Sequence, residues 1–516
     1  MLAGTTPVEE LITQEGWLYK YAWSAKHSSM ASESDLPVAS DENFKAKTIN
    51  LMSFARPHMR AFHYSWISFF LAFLCWFAFA PLMPTIRVEL GLNMKQVLTI
   101  NMMSVACTIF ARFALGPLCE QYGPKRLQTY LLAWISLMCF LAPTVNSFAG
   151  LLFLRCAIGI GGGSFVVTQY WSSQMFTKDI VGVANATTGG WGNLGGGVTQ
   201  VLMVAIFEAI RSTGVGPAGA WRLSMLVPAG MVGLFAIVMR ASSDDCPQGD
   251  YIPLMKAGVI EKKEAKAVAR DGFFNPNSWF LGLQYATSFG VELHMNNLAA
   301  LYFYNNFGVS QFTAGNLASV FGAMNLCCRS LGGAASDKAM ARCGMQGRLL
   351  VQTVGLVLEG IMIIVFSKCT VLATAMPVLV VFSALVQATE GTTFGIVPYV
   401  DPPNLGAVCG VVGAWGNIGA VLWSWLFREF FSDQLDKGFG VLGFFVIASA
   451  LASGFVRIPG HSTLFSSAPH TPASAVAAEA LARLSKLEER MDAIAPATKG
   501  SESVVTTTVE VVRSTN

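Results

Sequence analysis

Twelve apolar runs, each close to the length needed to cross a bilayer, divide the chain. They lie near residues 65–86, 97–118, 127–145, 148–172, 181–208, 221–239, 279–303, 312–334, 349–366, 370–399, 404–427 and 439–457. A helix rising 1.5 Å per residue needs about 20 apolar residues to span the hydrocarbon core. The runs therefore predict an all-α membrane protein of twelve transmembrane helices. Composition agrees: 53% of residues are hydrophobic, 13% are charged and the mean hydropathy is +0.51, against about 25% charged in an ordinary globular domain.

The runs form two sets of six. The stretch Arg240–Asn277 between them is polar and contains "EKKEAKAVAR" (Glu261–Arg270), so it predicts a solvated linker. The expected organisation is an N-terminal tail over 1–56, one six-helix half over 57–240, a linker over 241–277, a second half over 278–458 and a tail over 459–516. Residues 1–56 have no hydrophobic segment behind a basic start, which leaves the first membrane helix to act as the targeting signal. With a cytoplasmic N-terminus, seventeen Lys and Arg fall on the cytoplasmic side and seven on the other, an asymmetry that puts both termini inside. The net charge of +3 is spread over these loops and points to no nucleic-acid partner; the apolar composition makes the lipid bilayer the expected partner.

Enzymatic chemistry finds no foothold. There is no HExxH, no phosphate-binding loop and no nucleophile elbow, and "GIGGG" (Gly159–Gly163) follows a membrane run rather than a strand, so it is not a dinucleotide loop. The eleven cysteines lie mostly inside apolar runs without CxxC spacing, which suits packing rather than disulfides or metal. The expectation is a non-enzyme with no cofactor and no metal. The sequon at Asn185 lies inside a run, out of reach of glycosyl transfer.

The chain repeats itself. "GGWGNLGG" (Gly189–Gly196) returns as "GAWGNIGA" (Gly413–Ala420), 224 residues later. Arg112 and Glu120 likewise return as Arg329 and Asp337, both at an offset of 217. Two parallel repeats with the same landmarks in the same order place a substrate site at their interface near mid-membrane.

The segments "ARFALGPLCEQYGPKR" (Ala111–Arg126) and "CRSLGGAASDKAMARCGMQGR" (Cys328–Arg348) resemble the loop motifs after helices 2 and 8 of the major facilitator superfamily, and Arg155 with Gly159 adds to the likeness. The glycine lines, within Gly159–Gln200 and Gly391–Ala420, resemble the two signature regions of its nitrate/nitrite porter family. "ARPHMRAFHYSWISFF" (Ala55–Phe70), "SFGVEL" (Ser288–Leu293) and "SDDCPQGDY" (Ser243–Tyr251) are similar to the high-affinity transporters of plants and algae; the likeness spans roughly 50–460. It implies the major facilitator fold and a secondary transporter of the plasma membrane that imports nitrate, and also nitrite, by alternating access with protons. Two other readings keep the same site: a nitrate/nitrite exchanger, and a nitrate receptor on a transporter scaffold.

Arginine matches a planar oxyanion, being planar, permanently charged and forked. A charge at mid-membrane costs about 2.5–3.5 kcal/mol on insertion scales, so its presence there marks function. Arg112 and Arg329 are the expected anion ligands, positions to which the resemblance also assigns nitrate, while Arg155 is expected to be structural or gating. On helix 7, Tyr285, Phe289, Glu292 and Asn296 share one helical face. By resemblance, Tyr285 and Phe289 sandwich the anion, with Phe165 and Phe394 as further pocket aromatics. Asn193 and Asn417 are candidate donors to the anion or to the arginines. Gly189, Gly192, Gly195 and Gly196, and Gly413, Gly416 and Gly419, are expected to smooth helix 5 against helix 8 and helix 11 against helix 2. Trp415, where the family more commonly has glycine, predicts a looser approach of helix 11.

Among acids within the runs, Glu292 and Glu390 are the proton-coupling candidates; Glu359, on a helix peripheral in the superfamily, is set behind them. The C-terminal segment Ala475–Ala495 predicts a short helix that is either solvated or docks a partner, such as an accessory membrane subunit or a second copy. Disorder is expected for the last residues, 503–516, and for the first 50.

Overall fold

The computed structural model of the protein describes residues 44–258, 265–309, 311–431 and 434–466. The expected C-terminal helix, the strand-prone end and most of the N-terminal tail lie outside them. The last part of that tail departs from the expected disorder. Ala46 is fully buried, donates its N–H to Met175 O (2.9 Å) and accepts from Thr177 N (3.0 Å).

Each of the twelve apolar runs falls in helical chain. The first six form α1 (His58–Phe77), a short α2 (Met83–Glu89), α3 (Met94–Tyr122), α4 (Pro124–Phe140), α5 (Phe148–Gly159) continued by α6 (Ser164–Met175), α7 (Val181–Arg211), and α8 (Pro217–Ser224) with α9 (Leu226–Ser242). The connection carries α10 (Tyr251–Lys256) and α11 (Ala265–Phe274). The second six form α12 (Pro276–Phe307), α13 (Gln311–Ala323) leading into α14 (Cys328–Phe366), α15 (Leu372–Val400), α16 (Leu405–Phe430) and α17 (Leu435–Ala450). Among the described residues, nine helices are long and apolar enough to cross a membrane; one of these, Asn316–Phe366, contains the reversal at Gly344 (φ 63°, ψ −153°) and holds two spans. The two runs outside that set, α1 and α12, are interrupted by polar side chains such as His63 and Glu292.

Helix ends follow local chemistry. Asn93 and Gln96 form a reciprocal cap at the start of α3 (both 2.9 Å), which satisfies first-turn donors that would otherwise be orphaned. Gly123 ends α3 at φ 82°, and Gly308 ends α12 at φ 64°, a region glycine enters without penalty. Phe110, Phe153, Leu234, Ile237 and Phe444 point outward and are exposed, the apolar girdle a lipid-facing surface needs.

The two halves meet where α3 packs on α16 and α7 packs on α14. The approach is close: a Cβ on Gly116 or Gly406 would collide with the other's backbone, and one on Gly333 with Gly182. Trp415 does not loosen the α16 contact with α3, because it points toward α12, against Gly282 and the Trp279 ring (5.5 Å). At one end of both seams an acid of one half holds the first N–H groups of a helix in the other. Glu120 accepts from Gly406 N (2.8 Å), and Asp337 from Gly182 N (3.1 Å) and Val183 N (2.7 Å). Carboxylates are favoured there by the unpaired N–H groups and the helix dipole.

The glycine lines divide between two tasks, which corrects the expectation that they face the opposite half throughout. Gly189, Gly190 and Gly413 adjoin the opposite half: Gly189 and Gly190 lie against Arg329, and Gly413 near Arg112. Gly192 lies against Phe69 of α1, Gly195 against the Phe70 backbone and Gly196 beside Phe77, all in its own half. Gly416 lies against Tyr285 and Phe289, and Gly419 against the Ala286 backbone, again in its own half. The turn of helix between positions accounts for the split.

The linker is less solvated than expected. Helix α11 packs on both α3 and α16, with Phe273 6.0 Å from Phe113 and Gly272 tight against Ala407. Nearby, the buried Asp245 accepts from Lys125 N (2.9 Å) and Tyr251 N (3.0 Å) at the starts of α4 and α10. Arg56 is bound in two places to Asp244 (2.9 and 2.7 Å).

Two outcomes follow from this packing. Gly116→Leu should block closure of the α3–α16 seam and cut uptake at least tenfold (on the order of 1.4 kcal/mol) at normal surface expression. Gly197→Leu, where nothing lies within 4 Å of the added Cβ, should transport normally; equal uptake by both variants would show the seam to be compliant. Burial raises the Asp245 carboxyl to about 6 against the pull of its two N–H donors. The folded protein thus holds a proton that the unfolded chain has released, and this group's contribution to stability is lost as pH rises from about 4 through about 6, at most ~3 kcal/mol. The thermal midpoint should therefore fall between pH 4.5 and 7 less steeply, by a few degrees, in Asp245→Asn than in the parent.

Candidate functional site

Mid-membrane polar groups from both halves converge on two arginines. Arg112 on α3 and Arg329 on α14 are 0% and 1% exposed, so the pair is closed to water on every side. Arg112 donates from Nε to Gly162 O (3.1 Å), a carbonyl in the Ile160–Gly163 break between α5 and α6, and from Nη1 to Gly413 O (2.7 Å). With its amide oxygen turned toward the guanidinium, Asn417 accepts from the same two nitrogens (3.0 and 3.1 Å). Among the described residues Arg112 makes no ion pair, and its Nη2 is buried without a partner.

Arg329 is held differently. It pairs with Glu390 of α15 through Nη1, lies 3.8 Å from Glu292 of α12 and donates from Nη2 to Tyr285 Oη (2.8 Å). Glu292 in turn accepts from Asn193 (3.1 Å) and Asn325 (2.6 Å). The break at Met324–Leu326 between α13 and α14 is what carries Asn325 inward. Arg329 Nε is also buried without a partner.

Between the arginines lie flat faces. Phe165 of α6 and Phe289 of α12 are nearly parallel, with centroids 5.9 Å apart and planes at 12°. Tyr285 stacks with both, at 5.9 Å and 5.1 Å. Phe394 closes the group edge-on, 4.9 Å from Phe165 and 5.2 Å from Tyr285. The Arg112 guanidinium carbon is 4.8 Å from the Phe165 centroid and 5.0 Å from that of Phe289; for Arg329 the distances are 5.6 and 6.0 Å. Each cation is almost equidistant from the two rings and so sits beside the gap between them. Such contacts stabilise a desolvated cation by about 0.5–2 kcal/mol.

Arg112, Arg329, Tyr285, Phe289, Phe165 and Phe394 thus come together, with Glu292 and Glu390 on one side. Asn193 faces Glu292 and Asn417 faces Arg112, which places both beside the arginine network. Arg155 lies elsewhere: buried, it bonds Trp76 O and Asn101 (3.3 Å) and covers the Phe79 ring at 5.5 Å, tying α1, α3 and α5 of one half together. Asn296 is exposed, beyond the end of the polar face of α12. Sequence reasoning missed Gln169, Asn325 and Gln387. Gln169 follows Phe165 by one turn and donates to Asn185 O (3.1 Å), and both amide atoms of Gln387 are buried without partners. The signal for Gln169 and Gln387 was the one-turn or two-turn spacing from Phe165 and Phe394; Asn325 gave none, because the helix break sets its direction.

Chemically, the arrangement offers two fixed cations, two unpartnered guanidinium N–H groups and flat apolar walls, all shut off from water. It suits a small planar anion. Two like halves around an occluded charged site define a transporter of the major facilitator fold, and solved structures bear out the fold. The human organic anion transporter MFSD10 aligns with a TM-score of 0.54 at 12% identity, covering 77% of this chain and 99% of that one; a proton:xylose symporter aligns at 0.57 and 13%, covering 76% and 95%. The Major Facilitator Superfamily profile matches residues 65–424. The chain is 40% identical over 429 residues to high-affinity nitrate transporter 2.3 of Oryza sativa subsp. japonica (82% of each chain), and 37% identical to high affinity nitrate transporter 2.5 of Arabidopsis thaliana (83% and 85%). It is also 28% identical to the nitrate/nitrite transporter NrtP of a Picosynechococcus strain (70% and 83%). The chain belongs to the high-affinity nitrate transporter family of the Major Facilitator Superfamily.

A lysine at position 112 would keep the charge but has three donors on one nitrogen, so it could not reach the Gly162 and Gly413 carbonyls and the Asn417 amide oxygen and still offer a free N–H. Charge-assisted hydrogen bonds contribute about 1.5–3 kcal/mol, so Arg112→Lys should weaken nitrate binding ten- to a hundredfold, read by calorimetry on the purified protein. An unchanged Kd would remove Arg112 from the anion site.

Proposed function

We propose that this chain imports nitrate, with nitrite as a second anion, across the plasma membrane by proton-coupled alternating access, with both termini in the cytoplasm. The observation that carries the reading is the pair of buried guanidinium groups flanking one stacked aromatic pair, each with an unpartnered N–H. Nitrate is planar and weakly hydrated. It loses little on leaving water and gains forked donors at its rim and ring faces on either side.

Charge balance supplies the coupling. Arg112 and Arg329 offset Glu292 and Glu390, so the empty site is neutral when all four are ionised. A bound nitrate adds one negative charge in a medium where an unbalanced charge is costly. A proton on one of the two acids restores neutrality, and its loss on the cytoplasmic side weakens the hold on the anion. Glu292 is the better carrier, because Asn193 and Asn325 keep it in place when its attraction to Arg329 is lost. Moving an anion into a cell that is negative inside costs about 2.3 kcal/mol per 100 mV, so concentrative uptake needs at least two protons per nitrate.

The test is flux in proteoliposomes with a trapped pH dye. Nitrate added outside should acidify the lumen of vesicles bearing the parent protein. Glu292→Gln should keep nitrate counterflow but lose at least tenfold in proton-driven accumulation. Counterflow without acidification in the parent protein would replace symport with exchange.

A further inference from the structure

The pair of acids on Arg329 accounts for one proton, and the structure contains a second place for one. Glu359 lies on α14 at 0% exposure and makes no ion pair among the described residues. Its one described hydrogen bond is to Thr389 Oγ1 of α15 (2.8 Å), while its Oε1 has no partner. Thr389 Oγ1 is also within hydrogen-bond reach of Leu385 O. A hydroxyl has one hydrogen. The carbonyl can only accept, and the one Thr389 hydrogen cannot serve both it and Glu359 fully; both contacts are satisfied together only when the carboxyl is neutral and turns its own hydrogen to Thr389 Oγ1. An ionised carboxylate at this depth would also be a buried, unpaired charge.

Among the described residues, no cation pairs with Glu359 from any packed element; past the end of α14 the nearest is Lys368, nine residues on. On α15 the nearest ionisable group is Glu390, one residue past Thr389 and engaged with Arg329. Helix α17 meets α14 here through Gly443 and Ile447, and its charges, Asp436 and Lys437, are in its first turn. The Leu451–Phe455 turn carries no titratable group, and α7 meets the other part of α14, around Arg329 and Asp337. On α14 itself the nearest charge toward the reversal is Arg348, eleven residues away or about 16 Å.

A cluster of buried polar groups lies between α14 and α15 on the side of Glu359 that faces Arg348. Thr392 and Thr393 donate to Thr389 O (2.8 and 3.1 Å), and both also contact Gln352, two turns before Glu359. Beyond Gln352, Arg348 donates to Ser336 (2.9 Å) and pairs with Asp337 (2.7 Å) at the end where the halves are latched. The cluster lies apart from the anion site. Adjacent residues of α15 thus serve two places: Thr389 holds Glu359, and Glu390 holds Arg329.

We propose that Glu359 is a second proton-binding residue of the transport cycle, protonated in this occluded conformation and releasing its proton when α14 and α15 part and water reaches it from the Asp337 end. This rests on the proton-coupled reading above. The proton leaves the carboxyl for water at that end, and the carboxylate is reprotonated from the opposite side when the cycle resets. A shift of α15 against α14 changes both of its contacts together, which ties release of this proton to occupancy at Arg329.

The experiment measures protons entering per nitrate in proteoliposomes, together with infrared difference spectra. Glu359→Gln copies the protonated shape. It should leave nitrate Kd and counterflow within about twofold and halve the protons per nitrate. The carbonyl stretch of a protonated carboxyl should be present in the parent at pH 7.5, absent in Glu359→Gln and shifted in Thr389→Val. If the parent shows no nitrate-driven proton entry, the symport reading falls and this proposal with it. If the parent couples and Glu359→Gln keeps the full ratio, only this proposal falls. Should Glu359→Gln fail to fold, the band alone decides: its absence in the parent, or its persistence unshifted in Thr389→Val, overturns the assignment.

Discussion

Two guanidinium charges fixed in the dry middle of a membrane protein are the constraint from which the rest follows. Neither can be neutralised by losing a proton, so each must be met by its surroundings. The protein meets them in opposite ways. Among the described residues, Arg329 receives two carboxylates and a phenol, whereas Arg112 receives carbonyls, an amide oxygen and ring faces. The second solution leaves positive potential unspent, and that potential is what can draw an anion in.

The glycine lines serve the same constraint. At an offset of 224, Gly189 and Gly413 leave space beside the arginines, Gly192 and Gly416 admit aromatic rings, and Gly195 and Gly419 let a neighbouring backbone approach. One helix surface, used twice, therefore holds a charge, a ring and a helix within two turns. Large side chains at these positions would separate the arginines from the rings that shield them.

Much of this was legible in the sequence. Apolar run length sets the spans, and an arginine inside a run is costly enough to announce itself. The spacing of Tyr285, Phe289 and Glu292 defines a helical face whatever the neighbours are. What could not be read was rotation about each helix axis. Gly192 facing α1, Trp415 turning to α12 and Asn325 swinging inward at a helix break are all set by partners far away in sequence. Glu359 illustrates the same limit: a helix peripheral to the cavity can still bury an acid against the next helix, and only the Thr389 contact reveals it.

The acid caps at the seams, Glu120 on Gly406 and Asp337 on Gly182 and Val183, have a mechanical consequence. They sit on opposite flanks, related by the internal repeat, and act like bolts on both edges of a door. With one withdrawn the other becomes a hinge, and the halves can swing open lopsidedly instead of parting squarely. A lopsided opening would form a slit on one flank before the other seals. The duplication of the chain thus provides balance as well as a second arginine: in the alternating-access cycle proposed above, paired bolts would make opening all-or-none, the condition under which a carrier does not leak.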